Sequence, residues 1–155
     1  MISQTILNTI KDTAYRVRYF GELFQKSHPC TYTIELTGMC GICSYFLFKT
    51  LKEKKLSPVF SINDEHCFVM LQGLVIDVTA TQFYLKDKIF IKKLPHPTGN
   101  WIVSKCTTIE DEIPDLFRGW DITQNPFEQV QRDLLKLWEK VSLEDIKKIK
   151  EKVAF

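Results

Sequence analysis

Apolar residues recur at helical spacing in three parts of the chain, and each recurrence predicts a helix. The first part covers residues 3–25 and is broken by the sequence SHPC at 27–30, because the residue before a proline disfavours helical conformation. The second part runs from about residue 40 to residue 54. The third begins at Pro126, and Ser142 is expected to cap a short final helix.

The segments between these helices read as strands, because they are short and rich in β-branched and aromatic residues. The candidates are CTYTIEL at 30–36, three runs between 57 and 79 (SPVFSI, HCFVML and LVIDVT), and WIVSK at 101–105, within an otherwise mixed stretch over 88–104. The order helix, strand, helix, several antiparallel strands and helices predicts an α+β fold rather than a doubly wound sheet. We expect a single domain over residues 1–155.

The runs HCFVML and LVIDVT meet at Gln72-Gly73, which suits a two-residue hairpin loop. Because side chains alternate between the faces of a strand, this loop puts His66, Asp77 and Thr79 on one face. His66 and Asp77 are then diagonal neighbours, roughly 7–8 Å apart at the backbone, a gap that both side chains together can bridge. The opposite face is apolar throughout and reads as a core face that includes Cys67.

Composition limits the functional classes. The chain of 155 residues is 45% hydrophobic and carries a net charge of +2, so nothing favours a nucleic-acid partner. No apolar segment is long enough to span a bilayer, and residues 1–20 lack the features of a signal peptide, so no membrane partner is expected. The odd number of cysteines, five, argues against a disulfide framework and favours a reducing compartment, the cytoplasm.

The sequence Cys40-Gly-Ile-Cys43 opens the second predicted helix and admits several interpretations. A C-x-x-C at a helix start suits a dithiol oxidoreductase, but such enzymes need a βαβ pattern and here an antiparallel hairpin follows. Zinc would need Cys40, Cys43, His66 and Cys67 as ligands, yet His66 and Cys67 are consecutive on a strand and point to opposite faces. No cofactor is expected.

The third interpretation makes Cys40 a nucleophile, since amides and the dipole at a helix N-terminus stabilise a thiolate. Cys43 would then pack in a buried stripe with Leu47 and Leu51. His66 would be the base and Asp77 the group that orients it. The alternative for His66 and Asp77 is an ion pair without a catalytic role.

The sequences GMCGICSYFLFKTL and HCFVMLQGLVIDVTATQF resemble the transglutaminase-like branch of the papain-like cysteine enzymes. That family has G-x-C at a helix start with a small residue four positions later, H-x-W-V on one strand, and an Asp followed closely by Thr on the next. The matching positions here are Gly38, Cys40, Ser44, His66, Asp77 and Thr79. The resemblance covers about residues 37–83, and Phe68 stands where the family usually has Trp.

The resemblance implies a papain-like or transglutaminase-like core, with the nucleophile helix packed on a small antiparallel sheet and helices flanking it at both ends. It also implies a Cys40-His66-Asp77 triad that transfers acyl groups from a peptide or protein substrate. Gly38, Thr79, Gln82 and Tyr45 are candidate supporting or substrate-binding residues. Gln25, Tyr32 and Gln82 are candidates for a second oxyanion donor, and Tyr45, Trp101 and Trp120 for a substrate groove.

Peptidase, protein-glutamine deamidase and acyltransferase remain open at this point, as does the oligomeric state. A dithiol oxidoreductase and a non-catalytic binding module on the same fold are the alternatives from other functional classes.

Overall fold

A computed structural model describes residues 2–28, 36, 38–94, 99–113 and 127–154. The first helix, α1, spans Gln4–Ser27, as the apolar spacing predicts. Ser3 caps it, because its side chain accepts a hydrogen bond from the amide of Ile6. The predicted strand at 30–36 falls almost entirely on residues that lie outside the described ranges.

The second helix, α2, spans Cys40–Glu53 and is buried along most of its length. The predicted stripe of Cys43, Leu47 and Leu51 is confirmed, since all three side chains are buried. α2 packs between α1 on one side and the sheet on the other. This packing holds the N-terminus of α2, and with it Cys40, close to the hairpin strands.

Five antiparallel strands form one sheet in the order β4-β3-β2-β1-β5. The strands are β1 Val59–Ile62, β2 Cys67–Leu71, β3 Leu74–Asp77, β4 Phe90–Lys93 and β5 Lys105–Thr107. The hairpin register is confirmed, because Leu71 pairs with Leu74 and Met70 with Val75. Gln72 and Gly73 both have positive φ, the geometry of a tight two-residue hairpin loop.

The segment after the hairpin differs from its sequence-based prediction. β4 was not predicted, because FIKK is too short a run to stand out from the mixed pattern around it. WIVSK is not a strand as predicted: β5 begins at Lys105, where the chain pairs with β1. Trp101 is not part of a strand. Its side chain packs in a second core cluster, on the side of the hairpin opposite α2.

Two helices complete the described part of the chain, α3 at Phe127–Ser142 and α4 at Ile146–Lys152. The predicted cap at Ser142 is wrong, because Ser142 is the last residue of α3. Asp145 caps α4 instead, with its carboxylate accepting from the amides of Lys147 and Lys148. Both helices pack on α1.

The sheet is covered on both faces. The larger core cluster joins α1 and α2 to the face that carries Cys67, Val69 and Ile76. A smaller cluster covers the other face, and its buried members are Phe68, Val75, Ala80, Phe90 and Trp101. No helix among the described residues has the length and apolarity needed to cross a membrane.

Candidate active site

Cys40 is the first residue of α2, and the chain enters this helix through Gly38 and Met39. Gly38 has a φ of +82°, in the left-handed region that glycine adopts at little cost. Met39 offers no side-chain hydrogen bond to the first amides of the helix. The uncapped N-terminus of α2 therefore places its backbone N–H groups and the positive end of its dipole beside Cys40.

His66 immediately precedes β2, and Asp77 is the last residue of β3. The imidazole Nε2 lies 2.6 Å from the Oδ2 atom of Asp77, and each side chain is only 1% exposed. The contact expected from strand alternation is therefore present. Because Nε2 is held by Asp77, Nδ1 is the ring nitrogen left for other partners.

Asp77 has two further donors. Thr79 donates to Oδ1 from both its amide, at 2.8 Å, and its hydroxyl, at 3.0 Å. The indole Nε1 of Trp101 donates to Oδ2 at 2.9 Å. Both carboxylate oxygens are thus fully engaged, which fixes the carboxylate plane against the imidazole of His66.

The pKa of the Cys40 thiol is shifted by hydrogen bonds to the side chain and the backbone of Cys67 and to His66, and by burial. The hydrogen bond from the Cys67 side chain lowers the pKa of Cys40 most, and burial opposes it. The hydrogen bond and the positive charge of His66 lower the pKa further, so that it lies well below the usual range for a thiol. The sulfur belongs to a side chain that is 5% exposed.

The other two groups are held in their charged forms. Burial disfavours the imidazolium, but the charge and hydrogen bond of Asp77, together with Cys40, outweigh burial and raise the pKa of His66 to about 10. Burial likewise opposes the Asp77 carboxylate, whereas His66, Thr79 and Trp101 lower its pKa below the usual value. At neutral pH Cys40 is therefore a thiolate, His66 an imidazolium and Asp77 a carboxylate.

A cavity of about 260 Å³ opens beside His66. Phe83 forms part of its wall and meets the imidazole edge-on, with the ring centroids 4.7 Å apart. Gln82 reaches the same ring, with its Nε2 3.4 Å from Nδ1 of His66 and 3.1 Å from the Thr79 hydroxyl. Gln82 and Thr79 therefore lie beside His66 and Asp77.

The face of the hairpin that carries His66 is also covered, so the core is not confined to the opposite face. Phe68, Phe90 and Trp101 cover this face, and Phe90 and Trp101 stack with ring centroids 4.0 Å apart. Trp101 is buried and does not line a groove. Its role as a donor to Asp77 was missed, because no local signal ties a loop residue to a carboxylate 24 positions away.

Tyr45 points away from the cluster. Its hydroxyl donates to Glu110 at 2.6 Å, and burial together with this carboxylate raises the pKa of Tyr45 to about 12. The structure therefore gives Tyr45 a partner in the 110–112 turn and not in the site. Cys30, Tyr32 and Trp120 lie outside the described residues.

Cys43 is fully buried between α1 and α2, and burial raises its pKa far above the usual range. A thiol in that state packs as a small apolar side chain. Within the described ranges, no group of three or more His, Cys, Asp and Glu side chains is arranged to hold a metal ion.

Gln25 lies against the segment that leads into α2. Its Oε1 accepts from the amide of Leu36 at 2.7 Å, and the carbonyl of Leu36 accepts from the amide of Met39. The Nε2 atom of Gln25 is buried and finds no acceptor in the part of the chain that the structure describes. Of the two candidates for a second oxyanion donor that the structure describes, Gln25 and Gln82, Gln25 is thus the one with an unpartnered side-chain amide nitrogen.

Arg18 of α1 holds the turn that follows β3, a contact that the sequence pattern did not indicate. Its buried guanidinium donates from Nη1 to the carbonyl of Val78 at 3.0 Å and to the hydroxyl of Thr81 at 2.8 Å. Glu22, one helical turn along, pairs with Nε at 2.7 Å. Arg18 therefore anchors the segment that carries Thr79 and Gln82.

No protein-family model, curated protein or solved structure matches this chain.

Proposed function

We propose that the protein is a cysteine-dependent acyl-transfer enzyme of the transglutaminase-like or papain-like type, which hydrolyses an amide bond in a peptide or protein substrate. The substrate bond is a peptide bond or a glutamine side-chain amide. The observation that carries the proposal is the buried contact of 2.6 Å between His66 and Asp77, together with the lowering of the Cys40 pKa by His66. Cys40 lies at the start of α2, and His66 and Asp77 lie on the β2–β3 hairpin, which agrees with the order of elements in the sequence motif of this family.

The charges on Cys40, His66 and Asp77 support the following course of reaction. The Cys40 thiolate attacks the amide carbon, and amides at the start of α2 stabilise the oxyanion, with Gln25 as the candidate second donor. The His66 imidazolium then protonates the departing amine, and a thioester on Cys40 remains. Neutral His66 next takes a proton from water, which attacks the thioester and releases the acid.

The role of Asp77 in this course is to hold Nε2 of His66, so that Nδ1 faces the reacting atoms. The cavity beside His66 provides room for the departing group or the entering water. Its wall includes the polar residues Asp64, Glu65 and Asn100 as well as Phe83 and Ile102. The proposal includes that the protein acts in the cytoplasm, the reducing compartment that the odd number of cysteines favours.

The first experiment measures alkylation of Cys40 by iodoacetamide in the native protein. We expect fast labelling at neutral pH that is absent in Cys40→Ala and strongly slowed in His66→Ala, because the imidazolium stabilises the thiolate. Cys43→Ser is the matched control and should label at the wild-type rate. Rapid labelling of Cys40 that survives in His66→Ala would refute the triad.

The second experiment traps the acyl-enzyme. Candidate peptides and glutamine-containing peptides are mixed with the protein, and intact mass is followed for a Cys40-dependent thioester adduct. Loss of a Cys40-dependent activity in Cys43→Ser would favour the dithiol oxidoreductase instead. An unreactive Cys40 in a normally folded protein would favour the binding module.

A further inference from the structure

A second buried thiol belongs to the same core cluster as the proposed nucleophile, where α2 is bonded to β2. Cys67 begins β2, follows His66 in the chain and is 1% exposed. Contacts from its thiol and its backbone are among the causes that lower the pKa of Cys40. These contacts join the start of α2 to the start of β2, and the acyl-transfer course described above makes no use of the Cys67 sulfur.

The surrounding packing keeps the two thiols together. The hydroxyl of Ser44, one turn along α2 from Cys40, donates to the backbone carbonyl of Cys67 at 3.1 Å. This bond is buried and ties α2 to β2 beside the two sulfurs. Both cysteines belong to the larger core cluster, so neither backbone can withdraw without disturbing that core.

Cys43 is the sequence neighbour that would be expected to pair with Cys40 in a C-x-x-C. Its sulfur, however, faces α1: an ideal Cβ placed on Gly21 would lie 2.9 Å from it. Cys43 is fully buried, and burial keeps it protonated. The contacts thus single out Cys67, and not Cys43, as the partner of Cys40.

We propose that Cys40 and Cys67 form a reversible disulfide when the protein meets hydrogen peroxide, and that this bond switches the nucleophile off. The Cys40 thiolate attacks the peroxide, the O–O bond breaks, and Cys40 becomes a sulfenic acid while hydroxide leaves and is protonated to water. The Cys67 sulfur then displaces the sulfenic hydroxyl as a second water. The two sulfurs lose two electrons in all, and these reduce the peroxide.

The order of these events follows from exposure and charge. Cys40 is more exposed than Cys67 or Cys43, and its pKa lies well below the usual range for a thiol, so peroxide reacts there first. Cys67 then resolves the sulfenic acid before further oxidation to the irreversible sulfinic acid. A dithiol reductant restores both thiols by exchange. The disulfide thus stores the enzyme in an inactive and recoverable form.

Tryptic mapping tests the pairing directly. Cleavage after lysine leaves Cys67 as the sole cysteine of peptide 56–86, while peptide 27–49 carries Cys30, Cys40 and Cys43. The folded full-length protein is treated with about one equivalent of hydrogen peroxide, free thiols are alkylated, and the digest is examined by mass spectrometry. We expect peptides 27–49 and 56–86 to be cross-linked, and the cross-link to disappear after treatment with dithiothreitol.

Variants identify the sulfurs. The cross-link should persist in Cys43→Ser and be lost in Cys40→Ser and Cys67→Ser, and the last should accumulate sulfinic acid on Cys40. Cys67→Ala is a second variant should Cys67→Ser fail to fold, with circular dichroism as the folding check. A Cys67 that stays fully alkylated, or a bridge confined to peptide 27–49, would overturn the proposal. The test needs no substrate, so it is independent of whether an acyl-enzyme is found.

Discussion

Asp77 accepts four hydrogen bonds from described residues, two from Thr79 and one each from His66 and Trp101. A buried carboxylate that lacked these donors would be costly to ionise, so the donors explain how an anion persists at 1% exposure. Among them, Trp101 is the donor that comes from a separate part of the chain. Its indole is therefore the contact most readily removed without altering the hairpin.

Trp101→Phe keeps the stacked ring but removes the N–H donor to Asp77. We expect the free energy of unfolding to fall by about 1.5–3 kcal/mol, the range for a hydrogen bond to a charged group. The pKa of Asp77 should rise, and alkylation of Cys40 should slow because His66 is held less firmly. Denaturant titration and labelling kinetics measure the two effects.

Trp138→Phe is the matched control, since Trp138 packs against Phe20 and Phe46 away from the triad. It should lose stability through packing while the labelling rate of Cys40 stays at the wild-type value. Equal slowing of labelling in both variants would mean that Trp101 acts only through general stability.

Whether a contact at the site could be predicted from the sequence depends on how far apart its two residues lie along the chain. The contact of His66 with Asp77 could be predicted, because period-two alternation across a two-residue loop fixes which side chains share a face. The donation from Trp101 and the hydrogen bond from Cys67 to Cys40 could not. The first depends on the path of the chain between β4 and β5, and the second on how α2 docks on the sheet.

At the level of elements, α1 and α2 approach closely at Gly21 and Cys43. An added Cβ at Gly21 would lie 2.9 Å from the Cys43 sulfur and 3.6 Å from the Leu36 side chain. The lack of a side chain at Gly21 therefore sets the distance between the two helices. This contact also explains why Cys43, despite its place in a C-x-x-C, is a packing residue.

Gly21→Ala should destabilise the protein by about 1–3 kcal/mol through overpacking, partly offset by roughly 1 kcal/mol of helix propensity. Cys43→Ala removes the colliding sulfur, so the double variant should be more stable than the sum of the single effects. A double-mutant cycle from denaturant unfolding measures this coupling. Strict additivity would contradict the contact, and Cys106→Ala, at an exposed position, is the control.

The elements differ in how well periodicity predicts them. α1, α2 and the hairpin are long or strongly patterned and follow the prediction closely. β4 and β5 are short edge strands of four and three residues, whose pairing partners rather than their own pattern define them. The cap of α4 moved to Asp145 because α3 continues through Ser142.

At the scale of the whole molecule, the charged cluster couples folding to pH. The unfolded chain has an ordinary histidine, with a pKa near 6.5, and an ordinary thiol, with a pKa of roughly 8.5. In the folded protein the pKa of His66 is raised to about 10 and that of Cys40 is lowered. The stabilisation from His66 is complete below about pH 6.5 and is lost as pH rises to about 10. The stabilisation from Cys40 grows from its lowered pKa up to about pH 8.5.

The two slopes cancel between about pH 6.5 and 8.5, so we expect a plateau there in the free energy of unfolding. Stability should fall below the plateau, where Asp77 also becomes protonated as pH drops through its lowered pKa, and again above it towards pH 10. Urea titrations across this range measure the profile. His66→Ala should remove the high-pH fall, and an unchanged profile in that variant would contradict the ion pair.

The wall of the cavity comes from two parts of the chain. Asn63, Asp64, Glu65 and Phe83 belong to the stretch around the proposed triad, whereas Gly99, Asn100 and Ile102 lie between β4 and β5, on either side of Trp101. Mutation and selection can therefore act on these two parts separately. Under the proposed function, we expect changes at Asn100 or Ile102 to alter which molecules the cavity accepts while Cys40, His66 and Asp77 stay in place, so descendants of one ancestral chain can diverge in substrate and keep a common chemistry.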